Sequence, residues 1–151
     1  MEIRRENYGS TAVRVLATAL EAELLGRYAG IAGSGGEPPA SDFEPPDGAF
    51  LVGYVDGKPV ACGGVCRYDE RAAEIRRMYV APAARGRGLA RQLLGALEEE
   101  ARALGYTAVR LETGERQPEA IGLYSAAGYG RIPRYGPYVD DERSVCFEKR
   151  L

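Results

Sequence analysis

The chain has 151 residues, 45% apolar and 28% charged, which fits one ordinary soluble globular domain (1–151) with a real core. A net charge of −2 argues against broad electrostatic binding to nucleic acid, which needs a basic face. No apolar run reaches the roughly 18 residues of a membrane span, and Met1–Glu6 lacks an apolar signal core, so the expected location is the cytoplasm.

Taken in chain order, Glu2–Tyr8 reads as a short first strand. Ser10 or Thr11 can cap a helix over Ala12–Tyr28, whose Val13, Leu16, Leu20, Leu24 and Tyr28 recur on one face. Gly33–Pro39 and Pro45–Gly48 are breakers. Phe50–Val55 and Val60–Arg67, joined by Asp56-Gly57, read as a hairpin. Glu74–Val80 is the next strand, ended by Pro82. An amphipathic helix then runs to Gly105, with Leu89, Leu93, Leu97, Ala101 and Leu104 as its stripe. Arg91, Glu98, Glu99 and Arg102 are assigned to solvent, with Glu98 and Arg102 as an i,i+4 pair. Thr107–Thr113 alternates as a strand, Gln117–Ala127 is a short helix, and Gly130–Tyr135 and Arg143–Leu151 are closing strands. The order is that of one mixed α/β domain.

The chain has no histidine and three cysteines. Ser-His-Asp and Cys-His catalytic sets are therefore excluded, as are histidine-ligated zinc sites, and no metal is expected. Cys62 and Cys66 fall on one face of a strand. They and Cys146 read as small buried apolar residues, with a redox or nucleophilic role as the alternative.

The most informative stretch is Arg85-Gly86-Arg87-Gly88-Leu89-Ala90, between a strand and a helix N-terminus. Unpaired backbone N–H groups converge at such a turn, and the helix dipole adds partial positive charge, so the position suits phosphate. A P-loop pattern is absent. The dinucleotide fingerprint is broken, because Arg91 stands where its third glycine belongs and the unit lies mid-chain. The bland alternative is a tight strand–helix turn with no ligand.

Strand, Pro82, Arg85-x-x-Gly88-x-Ala90 and helix together resemble the acetyl-coenzyme A-binding motif of the GNAT acyltransferase superfamily. The resemblance extends to Glu74–Pro82 as that family's fourth strand. It also takes in Leu111-Glu112-Thr113, Gln117–Tyr124 and Ala127-Gly128-Tyr129 as its fifth strand and following helix. It covers about residues 74–129, weakens through Phe50–Arg67 and is faint before residue 49. Gln117 is a departure, since many members carry Asn there, and this puts one cofactor contact in doubt.

The resemblance implies a GNAT-like α/β fold, with a mostly antiparallel mixed sheet splayed between strands 4 and 5. It implies acetyl-CoA as donor, its pyrophosphate on the backbone of Arg85, Gly86, Arg87, Gly88, Leu89 and Ala90. The pantetheine arm would pair along Met78, Tyr79 and Val80 and lie near Gln117, Ala120 and Tyr124. Tyr124 is the implied acid that protonates or positions the leaving thiol, and a backbone N–H near Met78 serves the developing oxyanion. Glu74 is the candidate general base, with water as the alternative and Glu112 and Glu115 as lesser candidates. Its bland reading is an ion pair with an arginine such as Arg76.

The expected reaction is acetyl transfer to the amine of a small or amino-acid-like molecule, with neither nucleic acid nor membrane as partner and with a homodimer left open. Two acidic stretches, Asp42, Glu44, Asp47 and Asp140, Asp141, Glu142, together with Tyr135 and Tyr138, would favour a cationic amine if they line the acceptor site. They are otherwise solvated loop residues. A non-catalytic acyl-CoA-binding or regulatory domain is the rival reading, and a nucleotide-phosphate switch is a second.

Overall fold

A computed structural model describes residues 1–151. The strands are β1 (Glu2–Arg5), β2 (Ala49–Val55), β3 (Lys58–Arg67), β4 (Ala72–Val80), β5 (Ala108–Gly114), β6 (Gly130–Ile132) and β7 (Ser144–Arg150). The helices are α1 (Thr11–Arg27), α2 (Leu89–Ala103) and α3 (Pro118–Ala126). The strands form one sheet in the order β1-β2-β3-β4-β5-β7-β6. Every neighbouring pair is antiparallel except β4 and β5. Those two are joined through α2, the crossover that a parallel pair requires.

Alternation along β2 sorts the two faces of the sheet. Phe50 and Val52 pack with Val13, Leu16 and Leu20 of α1 and with Cys62, Cys66 and Tyr79. Ala49 and Leu51 pack on the other face with Leu93, Leu94, Leu97 and Ala101 of α2 and with Tyr124 of α3. Cys62, Cys66 and Cys146 are free thiols and all buried. Burial pushes the thiols of Cys62 and Cys66 up to about 12, so they stay protonated and act as apolar filler.

Several boundaries differ from the sequence reading for local reasons. Ser10 is the α1 cap, its hydroxyl accepting from the Val13 N–H at 3.3 Å. β1 stops at Arg5, and Tyr8 turns its ring in against Phe43 and Phe50. β4 begins two residues early, because Ala72 and Ala73 pair with Ala108 and Val109 of β5. β6 ends at Ile132, ahead of Pro133, which has no N–H to donate to a ladder. Glu98 is not a solvent residue but only 7% exposed. It accepts from the Tyr129 hydroxyl at 2.8 Å and the Lys149 Nζ at 3.1 Å, while Arg102 pairs with Glu99 instead.

The feature that positions the site is the gap between β4 and β5. Their pairing covers only Ala72–Ile75 against Ala108–Leu111, and both strands continue beyond it. A bulge lies at the point of divergence. Arg76 faces Gly64 and Tyr79 faces Cys62, so Arg77 and Met78 together oppose Gly63. Arg77 takes a left-handed φ of 61°. Such a bulge bends and twists its strand, here turning β4 away from β5.

Candidate active site

Gly86 and Gly88 have φ of 80° and 74°. A Cβ at either would meet no heavy atom within 4 Å, so the glycines serve left-handed backbone rather than a close approach. Gly88 is the α2 N-cap and offers no capping side chain. None of the backbone N–H groups from Gly86 to Arg91 finds an acceptor within the chain. The turn is therefore a concave run of unpaired donors at a helix N-terminus, as an anion site requires. Arg85 does not stand free beside it. Its Nε donates to the Val80 carbonyl at 2.8 Å and its Nη2 to Glu23 of α1 at 2.6 Å. Arg87 is exposed.

A cleft of about 420 Å³ opens between α1, the 31–37 segment, β4, β5 and α3. Helix α3 and its cap contribute Gln117, Ala120 and Tyr124, and β4 contributes Arg76, Arg77 and Met78. Tyr124 is buried, and its hydroxyl donates to the Met78 sulfur at 3.8 Å, a weak acceptor. Burial pushes its pKa well above the usual phenol value. Gly114 closes the floor at the end of β5, where a Cβ would lie 1.4 Å from the Tyr28 hydroxyl.

A polar wall is supplied by β5, with β7 behind it. Glu112 lines the cleft and accepts from the Ser144 hydroxyl at 2.6 Å. Burial raises its carboxyl to about 7, helped by the charges of Asp141 and Glu74 and opposed by Ser144 and Arg76. Glu74 does not line the cleft. Its carboxylate accepts from the Tyr135 hydroxyl at 2.7 Å, and burial raises its pKa too, against the Tyr135 bond and the charges of Arg76 and Arg110. So the polar partner of Glu74 is Tyr135, with Arg76 acting on it only through its charge.

Of the residues singled out from sequence, Met78, Gln117, Ala120 and Tyr124 come together in the cleft. Tyr79 points into the core beside Cys62, and Arg85–Ala90 form the turn into α2 and are not among the residues lining the cleft. Asp42, Glu44 and Asp47 lie outside the cleft, and of the second acidic stretch only Asp141 lines it. Asp141 is claimed by Arg143 at 2.8 Å, whose hydrogen bonds hold its carboxyl far below the usual range. The sequence reading passed over Arg76, Arg77 and Arg143 as lining residues. For Arg76 and Arg77 the available signal was two consecutive arginines in a strand whose other residues, Glu74 apart, are apolar. No group of three or more metal-ligating side chains converges anywhere in the chain.

The sequence pattern of the Acetyltransferase (GNAT) family matches residues 22–129. The IAA acetyltransferase of Azospirillum brasilense is 42% identical over 107 residues, covering 70% of this chain and 70% of that protein. The crystal structure of a putative acyl-CoA N-acyltransferase from Klebsiella pneumoniae superposes with a TM-score of 0.83 at 30% identity, covering 99% of this chain and 97% of that one. The PaiA N-acetyltransferase of Thermoplasma acidophilum, solved in complex with coenzyme A, shares the fold at 16% identity with a TM-score of 0.73, covering 100% of both chains. The splayed sheet and its cleft are thus those of an acyl-CoA N-acyltransferase. The chain belongs to the GNAT family and is an N-acetyltransferase.

Proposed function

We propose that the chain transfers an acetyl group from acetyl-CoA to the amine of a small molecule by direct attack. The observation that carries this reading is the gap between β4 and β5, with Tyr124 on the cleft it opens and the unpaired N–H groups of Gly86–Arg91 where α2 begins after β4. These features suit coenzyme A, which when bound supplies the acetyl group as a thioester and leaves as a thiol. The turn at Gly86–Arg91 holds the pyrophosphate, the open β4 edge at Met78–Val80 pairs with the extended arm, and Ala120 leaves room for it on α3.

The roles of the polar side chains follow from their placement. Tyr124 donates a hydrogen bond to the leaving sulfur, in the direction it already donates to Met78. Its raised pKa makes full proton transfer to a thiolate uphill, so it positions and stabilises the leaving group first. The Met78 N–H at the bulge polarises the acyl oxygen. Glu112 borders the cleft and takes the proton that the amine loses on attack, while burial, with the charges of Asp141 and Glu74 behind it, keeps its pKa high. A base titrating near 7 is well matched to neutral pH.

The test is release of free thiol from acetyl-CoA with and without a panel of primary amines, beside a melting assay with coenzyme A and with ATP. Amine-dependent thiol release and stabilisation by coenzyme A are the expected results. Stabilisation without amine-dependent release would make the chain a binding domain, and stabilisation by ATP alone would overturn the assignment of the turn.

A further inference from the structure

The charges of the cleft do not cancel completely, and what remains describes the acceptor. Arg77 is paired with Glu37 at 2.7 Å and Glu21 at 3.5 Å, and Arg143 is paired with Asp141. Arg76 has no carboxylate within 4.0 Å, and its hydrogen bonds go from Nη2 alone, to the carbonyls of Gly35 at 3.2 Å and Gly36 at 2.9 Å. Glu112 has no cation within 4.0 Å and is met by the neutral Ser144 hydroxyl. Both side chains line the same cleft. One guanidinium and one carboxyl group thus share the cleft without a direct ion pair, Arg76 acting on Glu112 only through its field. A guanidinium fork fits a carboxylate in a bidentate manner.

Resting on the proposed acetyl transfer, we propose that the acceptor is a small amino acid, its carboxylate bound by Arg76 and its amine directed at Glu112. The surroundings support this assignment. The 31–37 segment is tied over the cleft by Arg76 and Arg77 to Gly36, by Ser34 to Asp141 and by Arg143 to Ala32. This limits the acceptor to something small enough to fit under it. A simple alkylamine would leave Arg76 unsatisfied when the cleft is filled, a cost that an acceptor carboxylate removes.

The experiment compares thiol release from acetyl-CoA with L-amino acids and with their primary amides, matched in size and lacking only the carboxylate. The amide amine is the less basic of each pair and more of it is neutral, so basicity alone favours the amide. The expected result is kcat/KM at least about tenfold higher for some amino acid than for its amide. Arg76→Gln should abolish that preference by raising KM for the amino acid, and Arg76→Lys should restore part of it. Equal rates for acid and amide in the wild type, or a preference that survives in Arg76→Gln, overturn the amino-acid assignment and leave acetyl transfer intact. Coenzyme A binding with no thiol release for any amine overturns both.

Discussion

The Tyr124 hydroxyl reaches the Met78 sulfur across the open end of the β4–β5 gap, 3.8 Å away. A buried phenol normally finds an oxygen or nitrogen partner. Here it faces a thioether on the strand expected to carry the acyl chain, so its strong donor capacity is unused. Tyr124→Phe should therefore lower kcat by about 10²-fold while leaving KM for acetyl-CoA nearly unchanged. It should cost little stability, since only a weak bond is lost. Steady-state kinetics and a melting curve test both points, and an unchanged kcat would make Tyr124 a packing residue.

The proposed phosphate cradle makes a separate prediction. Gly88 has open space around its Cα but a left-handed φ of 74°. Gly88→Ala should cost about 1 kcal/mol in backbone strain and retain coenzyme A binding. Gly88→Glu carries the same strain and places a carboxylate among the unpaired N–H groups, so binding should be abolished. Calorimetric titration of the two variants separates charge from strain. Equal affinities would place the pyrophosphate elsewhere.

How much of this was legible in the sequence depended on whether the local pattern survives tertiary contact. Helix α2 was readable because Leu89, Leu93 and Leu97 repeat every turn and all are buried. Glu98 was misread because its partners, Tyr129 and Lys149, come from distant parts of the chain. Ala72 and Ala73 carry no strand signal and are held extended by β5. The glycine turn into α2 was legible from Gly86 and Gly88, and the helix that carries Tyr124 into the cleft from its resemblance to the family's pattern. The roles of Arg76 and Arg77 were not, because the bulge at Arg77 breaks the period of two from which side-chain direction is inferred.

Glu112 links activity and stability through pH. Its carboxyl is raised from 4.5 to about 7 by burial, so the folded state holds a proton that the unfolded state has released between those values. Stability contributed by this group is therefore present at low pH and is lost as pH rises through 7. Glu112→Gln removes the charge and should stabilise the protein by about 1–3 kcal/mol at pH 8, with no gain at pH 4. The same substitution should remove the acidic limb of kcat measured at saturating amine, whose midpoint in the wild type should lie near 7. Melting curves at the two pH values and a pH–rate profile test this, and a limb that persists in Glu112→Gln would pass the base role to Glu74 or water.

Glu23 lies where a negative charge opposes the proposed ligand. It holds the Arg85 Nη2 at 2.6 Å, and Arg85 is the one arginine of the turn anchored to β4, through the Val80 carbonyl. To meet a pyrophosphate, that guanidinium must share or release Glu23, whose carboxylate then faces the phosphates. Glu23→Gln should therefore tighten coenzyme A binding, by about two- to fivefold for a partly exposed pair. The gain should shrink as salt is raised, because screening weakens the lost repulsion. Dephospho- and full-length coenzyme A should benefit alike, since both carry the pyrophosphate. Weaker binding in Glu23→Gln would show instead that Glu23 holds Arg85 in its productive position.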